Sequence, residues 1–389
     1  MGLTPFSSRL AFPTGENRLA HAEARRRAAG LPLLDLTTTN PTAVGLPYPA
    51  RALAAALATP AVAEYHPSPF GLAEARAAVA ADYARRGVTV APEAIALTAS
   101  SSESYALLFK LLCDPGAAVL VPRPSYPLFD YLARLEGIEP RPYPLVYDGR
   151  WRIDLGGLDR KGARALCLVS PNNPTGSFLH AEDLRALGGE LPLIADEVFA
   201  DYAFAPGPGA VTSVAGAAPE ALTFCLGGLS KGAGLPQLKL GWIATVGPPA
   251  LVREALARLE LLCDTYLSVG TPVQLALPAL LDLGAGIRAL IAGRVQENRR
   301  ALAAALAPDA PATLLPAEGG WSAILRVPAV RSDEEWALRL VDEAGVLVQP
   351  GYLFDLDDVN LGTTMVLSLL TPPDLFAEGL RRIVDRLND

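Results

Sequence analysis

From residue 94 to about 246, short β-rich apolar runs alternate with stretches of helical spacing. The runs cover 94–98, 117–122, 165–170, 192–195, 222–226 and 240–246, while 101–113, 126–136 and 181–187 repeat apolar residues at helical intervals. A strand that is apolar at nearly every position is buried on both faces, so the alternation predicts an α/β fold: a mostly parallel sheet covered by helices. Farther along, 248–263 and 274–307 read as long helices. The chain then changes character. Residues 321–327 read as a strand, 332–344 as a helix opened by the capping box Ser332-Asp333-Glu334-Glu335, 346–349 as a strand and 373–387 as a terminal helix. The expected organisation is an arm at 1–45 that joins the small domain, a large domain at 46–285 and a smaller α+β domain at 286–389.

Composition narrows the function. With 389 residues, 51% hydrophobic and 19% charged, the chain has ample material for a core and is not a disordered sequence. A net charge of −8 repels nucleic-acid phosphates and anionic membranes on average, so small molecules are the better partners. Cys113, Cys167, Cys225 and Cys263 are scattered and form no CxxC pair, as in a reducing compartment. Residues 1–20 contain no continuous apolar segment, and no later stretch runs about 18 residues without Pro, Gly or charge; a cytoplasmic location is expected. His21, His66 and His180 are too dispersed for a metal site. Only four of the 33 basic residues are lysines, at 110, 161, 231 and 239, so a lysine in an unusual setting stands out.

Four strand ends carry candidate chemistry. In an α/β sheet, ligands sit beyond the carboxyl ends of the strands. Ser170-Pro171-Asn172-Asn173-Pro174-Thr175-Gly176 follows one apolar run and reads as a cofactor-facing turn or an ordinary one. Asp196 and Glu197 end the next run, where an acid pairs with a cationic ring nitrogen, caps a helix or coordinates a metal. Gly227-Gly228-Leu229-Ser230-Lys231-Gly232 puts a lysine among small residues. Desolvation and a nearby cation can lower its pKa enough for Schiff-base chemistry; the alternative is a solvated surface lysine. Thr98-Ala99-Ser100-Ser101-Ser102-Glu103 runs into a helix whose start suits a phosphate dianion, or is a plain serine cap.

Taken in order, the serine-rich helix start, Tyr126, Asn-Pro-Thr-Gly, Asp196 and Ser230-Lys231 resemble the fold-type I, class I/II aminotransferases that use pyridoxal 5′-phosphate. The likeness extends over nearly the whole chain. It implies that Lys231 forms the internal aldimine and shuttles the proton, that Asp196 faces the pyridine nitrogen and keeps it protonated, that Asn173 bonds the 3′ oxygen and that Tyr126 stacks on the ring. It implies a phosphate cup of Ser100, Ser101, Ser102 and Ser230, joined by Tyr65, and also by Ser268, from a neighbouring subunit, hence a homodimer with shared sites. The substrates it implies are an amine or amino acid and a keto acid. Elimination, decarboxylation or cyclisation on the same fold is the alternative reaction, and a non-catalytic cofactor-binding protein a more distant one.

Three departures qualify the resemblance. Lys239 stands where the family usually has a phosphate-binding arginine; it keeps the charge without the bidentate fork. Phe199 replaces a tyrosine whose hydroxyl bonds the 3′ oxygen, which should raise the aldimine pKa. Val366, in Met365-Val366-Leu367-Ser368, occupies the position of the arginine that grips the substrate α-carboxylate. Either Arg9, Arg18 or Arg326 takes over that task, or the amino substrate has no conventionally held α-carboxylate. Asn40 and Tyr48 are the candidate pocket-lining residues.

Overall fold

The predicted apolar runs all enter one eight-stranded sheet. Its spatial order is Ile95–Thr98, Gly241–Val246, Thr223–Gly228, Leu193–Asp196, Ala163–Val169, Ala118–Arg123, Glu139–Tyr147 and Trp151–Ile153. The five strands from Thr223–Gly228 to Glu139–Tyr147 pair in parallel, and antiparallel pairings close both edges. All residues of Ile95–Thr98 and of Thr223–Gly228 are buried, as a sheet covered on both faces requires. The computed structural model describes residues 6–388 except 13–14, 16, 205–206, 218–219, 307–309, 358 and 360.

Two strands of this sheet have no counterpart in the sequence reading. Glu139–Tyr147 carries Pro140, Pro142 and Pro144, which cannot donate to a ladder and so disguise the strand; it lies next to the sheet edge, where proline is tolerated. Trp151–Ile153 is three residues long, too short to show a period. The helix expected over 332–344 is α-helical only at Asp333–Arg339, behind the expected capping box, and then widens into a π turn at Leu340–Ala344.

The helix Thr271–Ala305 is long and apolar enough to cross a bilayer by length and composition. Instead its stripe of Ala276, Leu277, Leu280, Ile287, Ile291, Val295 and Leu302 is buried, and helices Ala50–Leu57, Ala73–Arg85 and Pro373–Leu387 pack on it. The expected boundary at 285/286 falls inside this helix, so a continuous rod rather than a loop joins the flanking regions. Beyond it, Thr313–Leu314, Ser322–Arg326, Thr364–Ser368 and Gln349–Pro350 form an antiparallel sheet. The N-terminal segment returns to this end of the molecule: Leu34–Asp35 pairs in parallel with Val346–Leu347, and the Ser368 hydroxyl donates to the Thr38 carbonyl at 2.6 Å.

The two sheets are clamped at the Asn-Pro-Thr-Gly turn. Gly176 has φ +67°, and a Cβ there would clash with the Gly319 carbonyl and lie 2.7 Å from the Ala317 Cβ, so only glycine fits. The close approach lets the Glu318 and Gly319 N–H groups donate to the Gly176 carbonyl at 3.1 and 2.9 Å. The Glu318 carboxylate accepts from the Phe178 and Gly207 N–H groups and meets the His180 ring at 3.0 Å. Trp321 and Ser322, just beyond this clamp, are thereby set against the ends of the large-sheet strands.

Candidate active site

Asp196 ends its strand opposite Leu226, and Lys231 follows five residues later in the short turn Leu229–Gly232. The parallel pairing of the two strands therefore brings the carboxylate and the amine to one crevice. Burial raises the Asp196 pKa to about 6, opposed by the Val198 N–H at 3.1 Å, the Tyr105 O–H at 3.2 Å and the charge of Lys231. Burial likewise lowers the Lys231 pKa, and Asp196 raises it back in part. The Lys231 Nζ stands 5.0 Å from the Trp321 ring centroid and 5.8 Å from that of Phe199. Tyr202 and Phe199 both pack edge-on against Trp321, and the Tyr202 hydroxyl donates to the Lys231 carbonyl at 2.7 Å. The turn that carries the lysine is thus held by an aromatic cluster.

Asn173 faces the C-terminal sheet: its Oδ1 accepts from the Ser322 hydroxyl at 3.0 Å. Tyr126 is half exposed, with its ring centroid 6.4 Å from that of Phe354. Ser100 caps the helix Ser101–Leu112, accepting from the Glu103 N–H at 3.2 Å, and Ser101 and Ser102 occupy the first turn. The helix start can sit beside the lysine strand because residue 241 is glycine; a Cβ there would lie 3.1 Å from atoms of Ser100, Thr98 and Gly227. Ser230 precedes Lys231 in its turn. Lys239 adopts a left-handed conformation, φ 49°, two residues before the strand Gly241–Val246. That is a costly backbone for a non-glycine residue, on the order of 1 kcal/mol, and persists only where the surroundings enforce it.

The remaining candidates are placed differently. Tyr65 is 72% exposed and lines a surface pocket with Ser268 and Tyr266; the Ser268 hydroxyl is engaged by the Glu103 carboxylate at 2.7 Å. Tyr48 donates to the Gly234 carbonyl at 2.6 Å, and burial pushes its pKa up to about 12. Asn40 is exposed and uses its amide oxygen to accept from the Thr42 N–H and hydroxyl. Two of the proposed carboxylate clamps have other contacts in this chain: Arg18 forms an exposed ion pair with Glu334 at 2.8 Å, and Arg9 donates to the Leu135 carbonyl at 2.9 Å. Arg326 ends its strand exposed. Val366 is 1% exposed. Tyr105, Tyr202, Trp321 and Ser322 were not identified from the sequence as site residues, and no local motif marks them.

This donor set fits pyridoxal 5′-phosphate: an amine of lowered pKa, a carboxylate whose pKa burial raises, an amide with its oxygen already bonded, and a serine-lined helix start. Comparisons with known proteins agree. The family model for aminotransferase class I and II matches residues 33–368. An S-alkyl-thiohydroximate lyase of Arabidopsis thaliana is 34% identical over 226 residues, which is 54% of this chain and 48% of the lyase. The chain thus matches about half the length of that relative. A valine–pyruvate aminotransferase of Mycobacterium tuberculosis is 30% identical over 378 residues, covering 94% of this chain and 93% of that one. The solved alanine aminotransferase of Pyrococcus furiosus superposes with a TM-score of 0.86 at 23% identity, over 98% of this chain and 99% of that chain, and so shares the fold. The chain belongs to the class I and II aminotransferase family, whose cofactor is pyridoxal 5′-phosphate.

Proposed function

We propose that this chain is an aminotransferase that moves an amino group from an amino donor to a keto acceptor, with Lys231 as its covalent and proton-transferring residue. The bound cofactor supplies an aldehyde that condenses with amines and a ring that takes up the electron pair released at the substrate carbon. Burial lowers the Lys231 pKa, so its Nζ gives up its proton more readily than an exposed lysine and can take one from the substrate carbon and return it. Asp196 would keep the cofactor's ring nitrogen protonated, and a cation placed there would lower the carboxyl pKa again. Asn173 would donate to the ring oxygen and Tyr126 would pack on the ring. Ser100, Ser101, Ser102, Ser230 and Lys239 would bind the phosphate, with Tyr65 and Ser268 serving a second subunit of a cytoplasmic homodimer.

The observation that carries this reading is the pairing of Lys231 and Asp196 in one crevice, each shifting the other's pKa. The test is to load the protein with pyridoxal 5′-phosphate, dialyse, reduce with borohydride and map the adduct. Label on Lys231, together with one-to-one conversion of an amino donor and a keto acceptor, is the expected result; a colourless, unlabelled protein overturns it.

A second reading is supported by Val366 and by the lyase among the relatives: elimination, decarboxylation or cyclisation at the same site. Ammonia released in proportion to substrate, without any keto acceptor, distinguishes elimination. Bound cofactor with no turnover across a broad donor panel points to a non-catalytic protein.

A further inference from the structure

We propose that Ser322 is a positioning residue: it anchors the Asn173 amide with its donating end free for the cofactor and thereby tunes the proton affinity of the cofactor's phenolic oxygen. This rests on the cofactor reading above. Asn173 lies in the turn after the large-sheet strand Ala163–Val169, whereas Ser322 opens the strand Ser322–Arg326 of the C-terminal sheet. The hydroxyl of Ser322 nevertheless donates to Asn173 Oδ1 at 3.0 Å, in a residue only 8% exposed. An amide has one accepting and one donating end. A hydroxyl can donate to Oδ1 or accept from Nδ2, so it is the cofactor's anion that claims the Nδ2–H₂ end; Ser322, donating to Oδ1 as it does here, then holds the amide in place for that contact.

Phe199 makes this orientation matter more. Its ring stands beside the Lys231 amine but has no hydroxyl, so at the two positions the family uses for this oxygen only Asn173 can donate. Ser322 is itself held from three sides. Ser368 lies directly opposite it, with its own hydroxyl committed to Thr38. Trp321, the preceding residue, is wedged against Tyr202 and Phe199. Gly319 is pinned to Gly176 in the same turn as Asn173. The serine–asparagine bond therefore crosses from one sheet to the other and couples the seating of the C-terminal sheet to the cofactor's protonation.

The experiment is a pH titration of the visible absorbance of the cofactor-loaded enzyme, comparing the wild type with Ser322→Ala, Ser322→Thr and Asn173→Ala. Ser322→Ala should raise the apparent pKa of the bound chromophore by about 0.5 to 1 unit, the worth of one misdirected hydrogen bond. Ser322→Thr, which keeps the hydroxyl, should restore the wild-type value. Asn173→Ala should shift the pKa at least as far, and Ser322→Ala should add nothing in that background. Borohydride labelling of Lys231 is measured in parallel and should stay stoichiometric in the Ser322 variants. If the wild type takes no label, the cofactor reading fails. If it is labelled but Ser322→Ala moves the pKa by less than about 0.2 unit, or moves it equally without Asn173, the positioning role is overturned. Should Ser322→Ala fail to fold, Ser322→Cys, similar in size with a weak S–H donor, must give the same upward shift.

Discussion

The carboxyl ends of the large sheet and the inner face of the C-terminal sheet meet at one crevice, yet they are built from different chemistry. The first presents Lys231, Asp196 and Asn173, an ionisable pair and an amide at the ends of parallel strands. On the second, Ser322 opposes Ser368 and Ile324 opposes Val366, and directly opposed residues of antiparallel strands share a face. Its two serines are already bonded, Ser322 to Asn173 and Ser368 to Thr38, and Val366 is buried. One half carries the ionisable pair. The other sets a buried valine at residue 366. The two halves can be altered separately, and the most informative changes are those that strike one half at a time.

The largest effect is expected from Lys231→Ala. It removes both the covalent attachment and the proton carrier, so turnover in a coupled assay of donor and acceptor should fall by at least roughly 10⁴-fold. The C-terminal half should be unaffected, with thermal stability within a few degrees of wild type. Activity within tenfold of wild type would move the chemistry away from the large-sheet ends.

Asp196→Asn should split function from stability. The folded pKa of this carboxyl lies near 6, above its ordinary 3.8, so the native cofactor-free protein binds the extra proton between these values. Its stability therefore falls as pH rises from about 4 through 6 and stays lowered above that window. Two pKa units correspond to roughly 3 kcal/mol, which Asp196→Asn should recover at pH 8 in the cofactor-free protein. The same change should reduce turnover on the order of 100-fold or more, because nothing then keeps the ring nitrogen protonated. Denaturant titrations at pH 4 and pH 8 check the first part; equal stability of the two proteins at pH 8 would mean that the carboxylate is already compensated without the cofactor.

Val366→Arg probes the other half. A guanidinium forced into a position that is 1% exposed, opposite Ile324, has no carboxylate partner there, and an uncompensated buried charge costs about 3 to 5 kcal/mol. The melting temperature should drop by several degrees. Unchanged stability combined with a new preference for α-amino acids would show that residue 366 borders an open carboxylate pocket.

What the chain's order discloses follows from distance along it. Lys231, Asp196 and Asn173 can be named in advance because each sits within a few residues of its own strand's end, and a local motif decides where it goes. Tyr105, Tyr202 and Ser322 cannot, since the contacts that give them meaning reach Asp196, Lys231 and Asn173 across 91, 29 and 149 positions. Before folding, a tyrosine inside a helix looks like any core tyrosine. Arg18 is a parallel case: its ion pair with Glu334, 316 positions later, is equally invisible along the chain. The proline-laced strand Glu139–Tyr147 was hidden because its propensity contradicts its place in the sheet.

The smallest predicted effect sharpens the contrast most, because it touches the seam between the halves. Phe199 packs edge-on against Trp321 of the C-terminal region, 5.3 Å between centroids, while its ring lies 5.8 Å from the Lys231 amine. Phe199→Tyr adds one hydroxyl and leaves that packing largely intact. A second neutral donor to the cofactor's phenolic oxygen stabilises its anion, so the chromophore pKa of the loaded enzyme should fall, by less than about 1 unit. The fall should be larger in a Ser322→Ala background, where Asn173 no longer holds its donor in place and the two groups act on one acceptor. Equal shifts in both backgrounds would mean that the tyrosine and the amide act independently. No shift in either would confine residue 199 to packing on Trp321, and leave Asn173 as the sole point where the large sheet addresses that oxygen.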